Sequence, residues 1–176
     1  ATVTPYSSVN TNSLSFDGSD YVSIDASSLK PDTAITVSFW FKASTSSSIQ
    51  YLVGDESVES GIAKGFSIQM RDGGTILFQM QKSQWSNTGS KTNDSFDDNN
   101  WHHLTAEWDG ALLRLWIDGS EATYSYQGSS STIMNSNENL YIGKSSHISA
   151  NYNGNIDNLL IWHRALTEAE LQSKMS

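Results

Sequence analysis

Carboxylates on alternate residues of one strand are the arrangement by which a two-sheet β protein would cut a glycosidic bond. Alternation puts both on the same face, roughly 7 Å apart, where one acts as nucleophile and the other as acid. Two runs come near that spacing, Asp55-Glu56-Ser57-Val58-Glu59 and Glu168-Ala169-Glu170. The first lies in a loop-like stretch and the second opens a helix, so neither has a strand's alternation. No Gly-rich phosphate loop sits between a strand and a helix, and no serine nucleophile elbow is present. The chain has no cysteine, which removes thiol nucleophiles, disulfides and thiolate metal sites together. Of the histidines, His102 and His103 are adjacent. In a strand their rings point to opposite faces, which argues against a shared zinc ion. These residues point to a protein that is not an enzyme.

What remains is the chemistry of contact. A sugar is held by an aromatic ring under its C–H face and by amides and charged groups around its hydroxyls. If Phe66, Phe78, Leu104 and Leu115 face the core, their neighbours face outward, and they are expected together on one sheet. Those neighbours give Trp116 as the platform, with Gln69, Gln79, Gln81, His103, Thr105, Glu107 and Arg114 as polar contacts. The bland alternative is a solvated sheet face with Trp116 part-covered by a loop. Trp85, in the polar stretch Lys82–Asn100, is the second aromatic candidate, since a loop tryptophan is either tucked away or used for contact. Trp40, Trp101, Trp108 and Trp162 lie within strand patterns and read as packing residues.

The elements that must position these groups are short strands. Ala34–Lys42 alternates with period two, placing Ile35, Val37, Phe39 and Phe41 on one face. Gly65–Met70, Thr75–Gln81 and Leu112–Asp118 repeat the pattern. Asn155–His163 gives another strand, with Asp157, Leu159 and Ile161 expected on one face. Asp17-Gly18, Asp72-Gly73, Asp109-Gly110 and Asp118-Gly119 mark tight turns. Ser44–Ser48, Ser86–Asn100 and Ser125–Asn139 read as long loops, and residues 1–12 as a flexible N-terminal segment before a domain over 13–176. Thr167 three residues before Glu170 is a capping box, so a short C-terminal helix is expected. An all-β, two-sheet antiparallel sandwich follows.

Composition narrows the partners. The chain has 176 residues, enough for one well-cored domain, and a formal charge of −9. A surface of that sign repels phosphate backbones, so nucleic acid is excluded as a natural partner, while divalent cations are attracted. No apolar run reaches the ~18 residues of a membrane helix, so no membrane insertion is expected.

Five segments in order, LSFDGSDYVSI (Leu14–Ile24), AITVSFWFKA (Ala34–Ala43), NWHHLTAEWDGALLRLWIDG (Asn100–Gly119), LYIGK (Leu140–Lys144) and GNIDNLLIWHRALTEAEL (Gly154–Leu171), resemble the laminin-G-like, pentraxin-related branch of the concanavalin-A-like superfamily. The resemblance implies a jelly roll of two stacked sheets, and a structural Ca²⁺ where Asp17, Gly18 and Asp157 match the family's ion site. It also implies a non-catalytic, carbohydrate-binding, lectin-like module of a secreted or cell-surface bacterial protein, with a polysaccharide or glycan as partner. An adhesin domain binding a cell-surface protein is the alternative, and a structural spacer a third. In the pentraxin branch a second calcium pair comes from an acidic run after the Tyr-Ile-Gly-like strand. Here that place reads Gly143-Lys144-Ser145-Ser146-His147 and the carboxylates are missing, which argues against phosphocholine-type recognition.

Overall fold

The computed structural model describes residues 12–27, 30–45, 47–83 and 86–174. Trp85 and residues 1–11 of the expected N-terminal segment lie outside the described residues. The described strands are, in chain order, β1 (Leu14–Asp17), β2 (Val22–Ile24), β3 (Ile35–Ala43), β4 (Gln50–Gly54), β5 (Ser57–Glu59), β6 (Ile62–Lys64), β7 (Phe66–Met70), β8 (Thr75–Ser83), β9 (Ser86–Ser95), β10 (Trp101–Trp108), β11 (Leu113–Ile117), β12 (Ser120–Glu121), β13 (Tyr124–Tyr126), β14 (Leu140–Ile142) and β15 (Asn153–Trp162). A six-residue helix, α1 (Glu168–Ser173), is the last described element. No described helix is long and apolar enough to cross a membrane.

Two large antiparallel sheets are stacked. The first runs β1-β15-β3-β10-β11-β12, the second β13-β9-β8-β7-β4-β14-β2, and β5-β6 form a separate hairpin. Between the sheets lie the alternate apolar residues of both inner faces: Val37, Phe39, Phe41, Leu104 and Leu115 from the first, Phe66, Ile68, Phe78 and Met80 from the second. Each such side chain contributes roughly 1.5–3 kcal/mol by leaving water. Trp108 is wholly inside, and its indole N–H donates to the Ser130 carbonyl at 2.7 Å, so burial leaves no orphan donor there. All four Asp-Gly pairs form turns with the glycine at positive φ. Asp118 and Gly119 are both positive, at 50° and 81°, the pair of values a two-residue hairpin turn requires.

Two expectations fail for physical reasons. Ser86–Ser95 is a strand, not a loop. Its inward positions Ser90 and Thr92 are polar but fully buried, because each is hydrogen-bonded: Ser90 Oγ donates to the Leu113 carbonyl at 2.6 Å, and Thr92 Oγ1 accepts from the Ile76 N–H at 2.9 Å. Asp157 does not share a face with Leu159 and Ile161. The register breaks between Asp157 and Leu160, with Asn158 at a φ of 51°. This bulge leaves Asp157 opposite Trp40 on the outer face and turns Leu159 and Ile161 toward the core.

The C-terminal segment crosses the outer face of the first sheet. Thr36 Oγ1 donates to the Arg164 carbonyl at 2.7 Å, the Leu166 N–H donates to Glu107 Oε2 at 3.0 Å, and Leu166 and Leu171 are buried beneath it. Thr167 and Glu170 close the expected capping box, and Arg164 grips Glu170 through two N–H donors at 2.9 and 2.6 Å.

Candidate functional site

The residues expected on one face are divided between two. His103, Thr105 and Glu107 on β10 and Arg114 and Trp116 on β11 belong to the first sheet; Gln69 on β7 and Gln79 and Gln81 on β8 belong to the second. In a sandwich the two outer faces point in opposite directions, so these sets cannot meet on one ligand. Alternation gave the correct direction for each side chain, outward, but not the sheet.

The first-sheet set is consumed by the fold. His103 Nε2 is 2.9 Å from Ser38 Oγ, which also accepts from Thr105 Oγ1 at 3.2 Å, and all three residues are buried. Burial pulls the His103 pKa from the ordinary 6.5 down to about 4, so the ring is neutral at physiological pH. Glu107 is also buried, which raises its pKa, and its carboxylate takes the Leu166 N–H and Arg114. Arg114 is held at 2.5 Å by Asp109. Trp116 is half-buried in the row Trp116–Thr105–Ser38–Leu160, and its buried indole N–H has no partner among the described residues.

The outer face of the second sheet carries a connected polar site. One cross-strand row reads Ser23–Tyr141–Gly54–Ser67–Gln79–Gly89, and the next Tyr51–Gln69–Leu77–Lys91. The first row has no side chain at Gly54 or Gly89, which makes it a trough. Gly54 is forced by packing, because a Cβ there would come within 2.5 Å of the Phe66 carbonyl oxygen. Glu56, just past the end of β4, turns its carboxylate into these rows. Its Oε2 accepts from Ser67 Oγ at 2.5 Å, Tyr51 Oη at 3.3 Å and Gln69 Nε2 at 3.4 Å, and its Oε1 from Gln79 Nε2 at 3.2 Å. Every one of these donors is neutral. The Tyr51 pKa is pushed up by burial and then by the Glu56 charge, so the hydroxyl stays protonated and donating.

The site extends outward from that carboxylate. Gln69 Nε2 also reaches Ser67 Oγ at 2.7 Å, and its Oε1 accepts from Arg71 at 2.8 Å. Half-buried Gln79 keeps its carbonyl oxygen unpartnered among the described residues. The segment after β14 forms a wall, with Ser146 Oγ donating to the Glu56 carbonyl at 2.6 Å and the exposed His147 ring edge-on to Tyr51 at 6.2 Å. At the far end Tyr21 and Tyr141 meet at 6.2 Å, with the Lys144 ammonium 4.1 Å from one ring and 5.2 Å from the other. Asp55, the residue before Glu56, points elsewhere: it pairs with Lys30 at 2.7 Å and takes the Phe66 N–H at 2.9 Å.

Gln69, itself buried, and half-buried Gln79 are thus sequence-expected residues that do come together at Glu56, while Gln81, also buried, lies two residues further along β8. The sequence reading missed Glu56, Tyr51, Ser67, Arg71 and the Tyr21–Lys144–Tyr141 corner. Glu56 had been considered only as half of a catalytic pair. The available signal was a carboxylate two residues past Gly54, the glycine that ends β4.

The expected ion site does not assemble. Asp17 pairs with Asn153, and Asp157 lies four residues further along β15, about 13 Å away at a strand's rise per residue. Two carboxylates so far apart cannot ligate one Ca²⁺, whose oxygens lie within ~2.6 Å of it. Asp17 instead closes its own turn, accepting from the Ser19 N–H at 2.8 Å and the Ser19 hydroxyl at 2.7 Å. The Gly18 carbonyl takes Asn151 Nδ2 at 3.0 Å. Among the described residues no group of three or more His, Asp or Glu is placed to hold a metal ion.

A family model described as the concanavalin A-like lectin/glucanases superfamily matches residues 16–172. No curated protein sequence matches. Among solved structures the chain is similar to the CBM40 of the Ruminococcus gnavus IT-sialidase bound to α2,3 sialyllactose, with a TM-score of 0.73 at 13% identity over 92% of this chain and 95% of that one. It is similar to domain 4 of AbnA, a GH43 extracellular arabinanase from Geobacillus stearothermophilus in complex with arabinotriose, with a TM-score of 0.69 at 16% identity over 93% and 76%. It also matches mouse laminin α1 domains LG4-5, with a TM-score of 0.67 at 19% identity over 89% of this chain and 47% of that one. At these identities the likeness is one of fold.

Proposed function

We propose that this chain, which belongs to the concanavalin A-like lectin/glucanases superfamily, is a non-catalytic glycan-binding module working through the outer face of its second sheet. The observation that carries the reading is the Glu56 carboxylate with four neutral donors converging on it. A buried charge is costly unless hydrogen-bonded. Here the bonds that satisfy it also fix Ser67, Gln69 and Gln79 in one orientation, leaving the Gln79 carbonyl and the Arg71 N–H groups facing a ligand. Preorganised donors and acceptors of both kinds suit a polyhydroxylated molecule, whose hydroxyls donate and accept at once.

Binding without cleavage is favoured by the single carboxylate. Glycoside hydrolysis uses two, about 5–10 Å apart on either side of the bond, and Asp55 is committed to Lys30 and the Phe66 amide. Calcium has no part in this reading, since the Asp17–Asp157 pair does not fit one ion. The same reading assigns the module to a secreted or cell-surface protein, where polysaccharides are met. The fold likeness to a domain of an extracellular arabinanase supports that assignment.

The test is a glycan array, followed by calorimetric titration of the best hit. Gln79→Ala should weaken binding at least tenfold, about 1.4 kcal/mol, with the melting temperature unchanged. Trp116→Ala should leave the affinity alone. If Trp116→Ala weakens binding and Gln79→Ala does not, the face is wrong. If no glycan binds, a protein partner takes precedence.

A further inference from the structure

We infer that the glycan taken by this site is acidic, and that Arg71 receives its carboxylate or sulfate. The inference rests on the glycan reading above and deepens it. The chain has three arginines. Arg114 is paired with Asp109 and Glu107, and Arg164 with Glu170. Arg71 differs: its partner among the described residues is a neutral amide oxygen, Gln69 Oε1 at 2.8 Å. In a chain of net charge −9, carboxylates are abundant, yet among the described residues none is paired with this guanidinium.

The position is built. Gln69 is fixed by Ser67 and Glu56, so a line of hydrogen bonds runs from the buried carboxylate through Ser67 and Gln69 to the guanidinium. That line holds the fork in one orientation and leaves most of its five N–H donors without a partner among the described residues. A planar fork of this kind matches the oxygens of a carboxylate or sulfate in bidentate fashion.

The surroundings agree. Neither cross-strand row of the site contains Asp or Glu; the charged residue in them is Lys91. The wall after β14 adds Lys144, whose ammonium lies over the rings of Tyr21 and Tyr141, and the exposed His147. Two carboxylates reach these rows and both are engaged: Glu56 is turned inward and takes four donors, and Glu138 accepts from the Tyr141 hydroxyl at 3.4 Å at the far end from Arg71. An acidic protein repels an anionic polysaccharide at long range. A local patch whose guanidinium is paired with no carboxylate among the described residues offsets that repulsion where contact occurs.

The experiment compares matched pairs. Uronic-acid, sialylated and sulfated oligosaccharides are arrayed beside their carboxyl-reduced or desulfated counterparts, and the best acidic hit and its neutral counterpart are titrated by calorimetry. The acidic form should bind at least tenfold more tightly, with the advantage shrinking between 0.05 and 0.5 M salt. Arg71→Gln should weaken the acidic form at least tenfold and the neutral form by much less, so that the difference between them collapses, while Arg71→Lys keeps part of the difference. Which arm responds separates carboxylate from sulfate. Equal binding of acidic and neutral forms overturns the inference and leaves the glycan reading standing. Equal weakening of both forms by Arg71→Gln also overturns it, because Arg71 then only supports Gln69. Absence of binding to either form overturns both.

Discussion

Two buried groups, Glu56 and His103, show how differently a residue of the same outward direction can be used. Glu56 accepts from four donors. Glu56→Gln keeps the shape but puts an NH₂ group where donors converge, leaving at least one of them unpaired, at about 1–3 kcal/mol. Urea denaturation should show that loss, and titration should show weaker glycan binding as Gln79 loses its anchor. His103 reports through pH. Its folded pKa is about 4 against an ordinary 6.5, so between those values the unfolded chain takes up a proton that the native ring refuses. Stability therefore falls as pH drops from 6.5 to 4, by up to about 3 kcal/mol. Glu107, raised by burial, acts in the opposite sense over part of that window. His103→Gln is the proper comparison: its stability curve should be flatter there than the wild type's.

At the scale of elements, the apolar strands β3, β7, β8, β11 and β15 were readable to within a few residues, because period-two alternation is a local property. β9 was not, since its inward positions Ser90 and Thr92 are polar, and only partners distant in sequence make their burial tolerable. Ser90→Ala would take the Gly128 N–H's acceptor away and leave the Leu113 carbonyl with the weaker 3.4 Å bond from Gln127 Nε2. A loss of about 1–3 kcal/mol should appear in thermal or urea unfolding. The site was half-readable for the same reason. Alternation showed that Gln69 and Gln79 face outward, as it did for His103 and Arg114. Which of them share a sheet depends on the order β9-β8-β7-β4 against β3-β10-β11, which is set by long-range pairing. The Asn158 bulge likewise left no local mark, and it moved Asp157 to the outer face.

For the molecule as a whole, the two outer faces have different fates. The first sheet's is crossed by the chain's own C-terminal segment over Thr36 and Glu107; the second sheet's carries the polar rows, with Tyr51, Ser67 and Gln69 buried and Gln79, Lys91 and Tyr141 part-exposed. The resemblance implied a structural calcium ion at Asp17, Gly18 and Asp157, which would join early and late parts of the chain; β1–β15 pairing already joins them. Chelation should leave the melting temperature and glycan affinity unchanged. A drop of several degrees would point to an ion held by oxygens other than the Asp17–Asp157 pair.

That division of faces also governs how the protein can be attached to anything. β1, the first described element, pairs with β15, and α1, the last, belongs to the segment lying over the same sheet. A tether at Ser13 or Lys174 therefore joins the molecule on the side opposite the trough. Copies coupled through those points to a bead or an oligomeric scaffold would present their open faces outward together, so that weak single contacts add up to strong avidity for a repeating polymer.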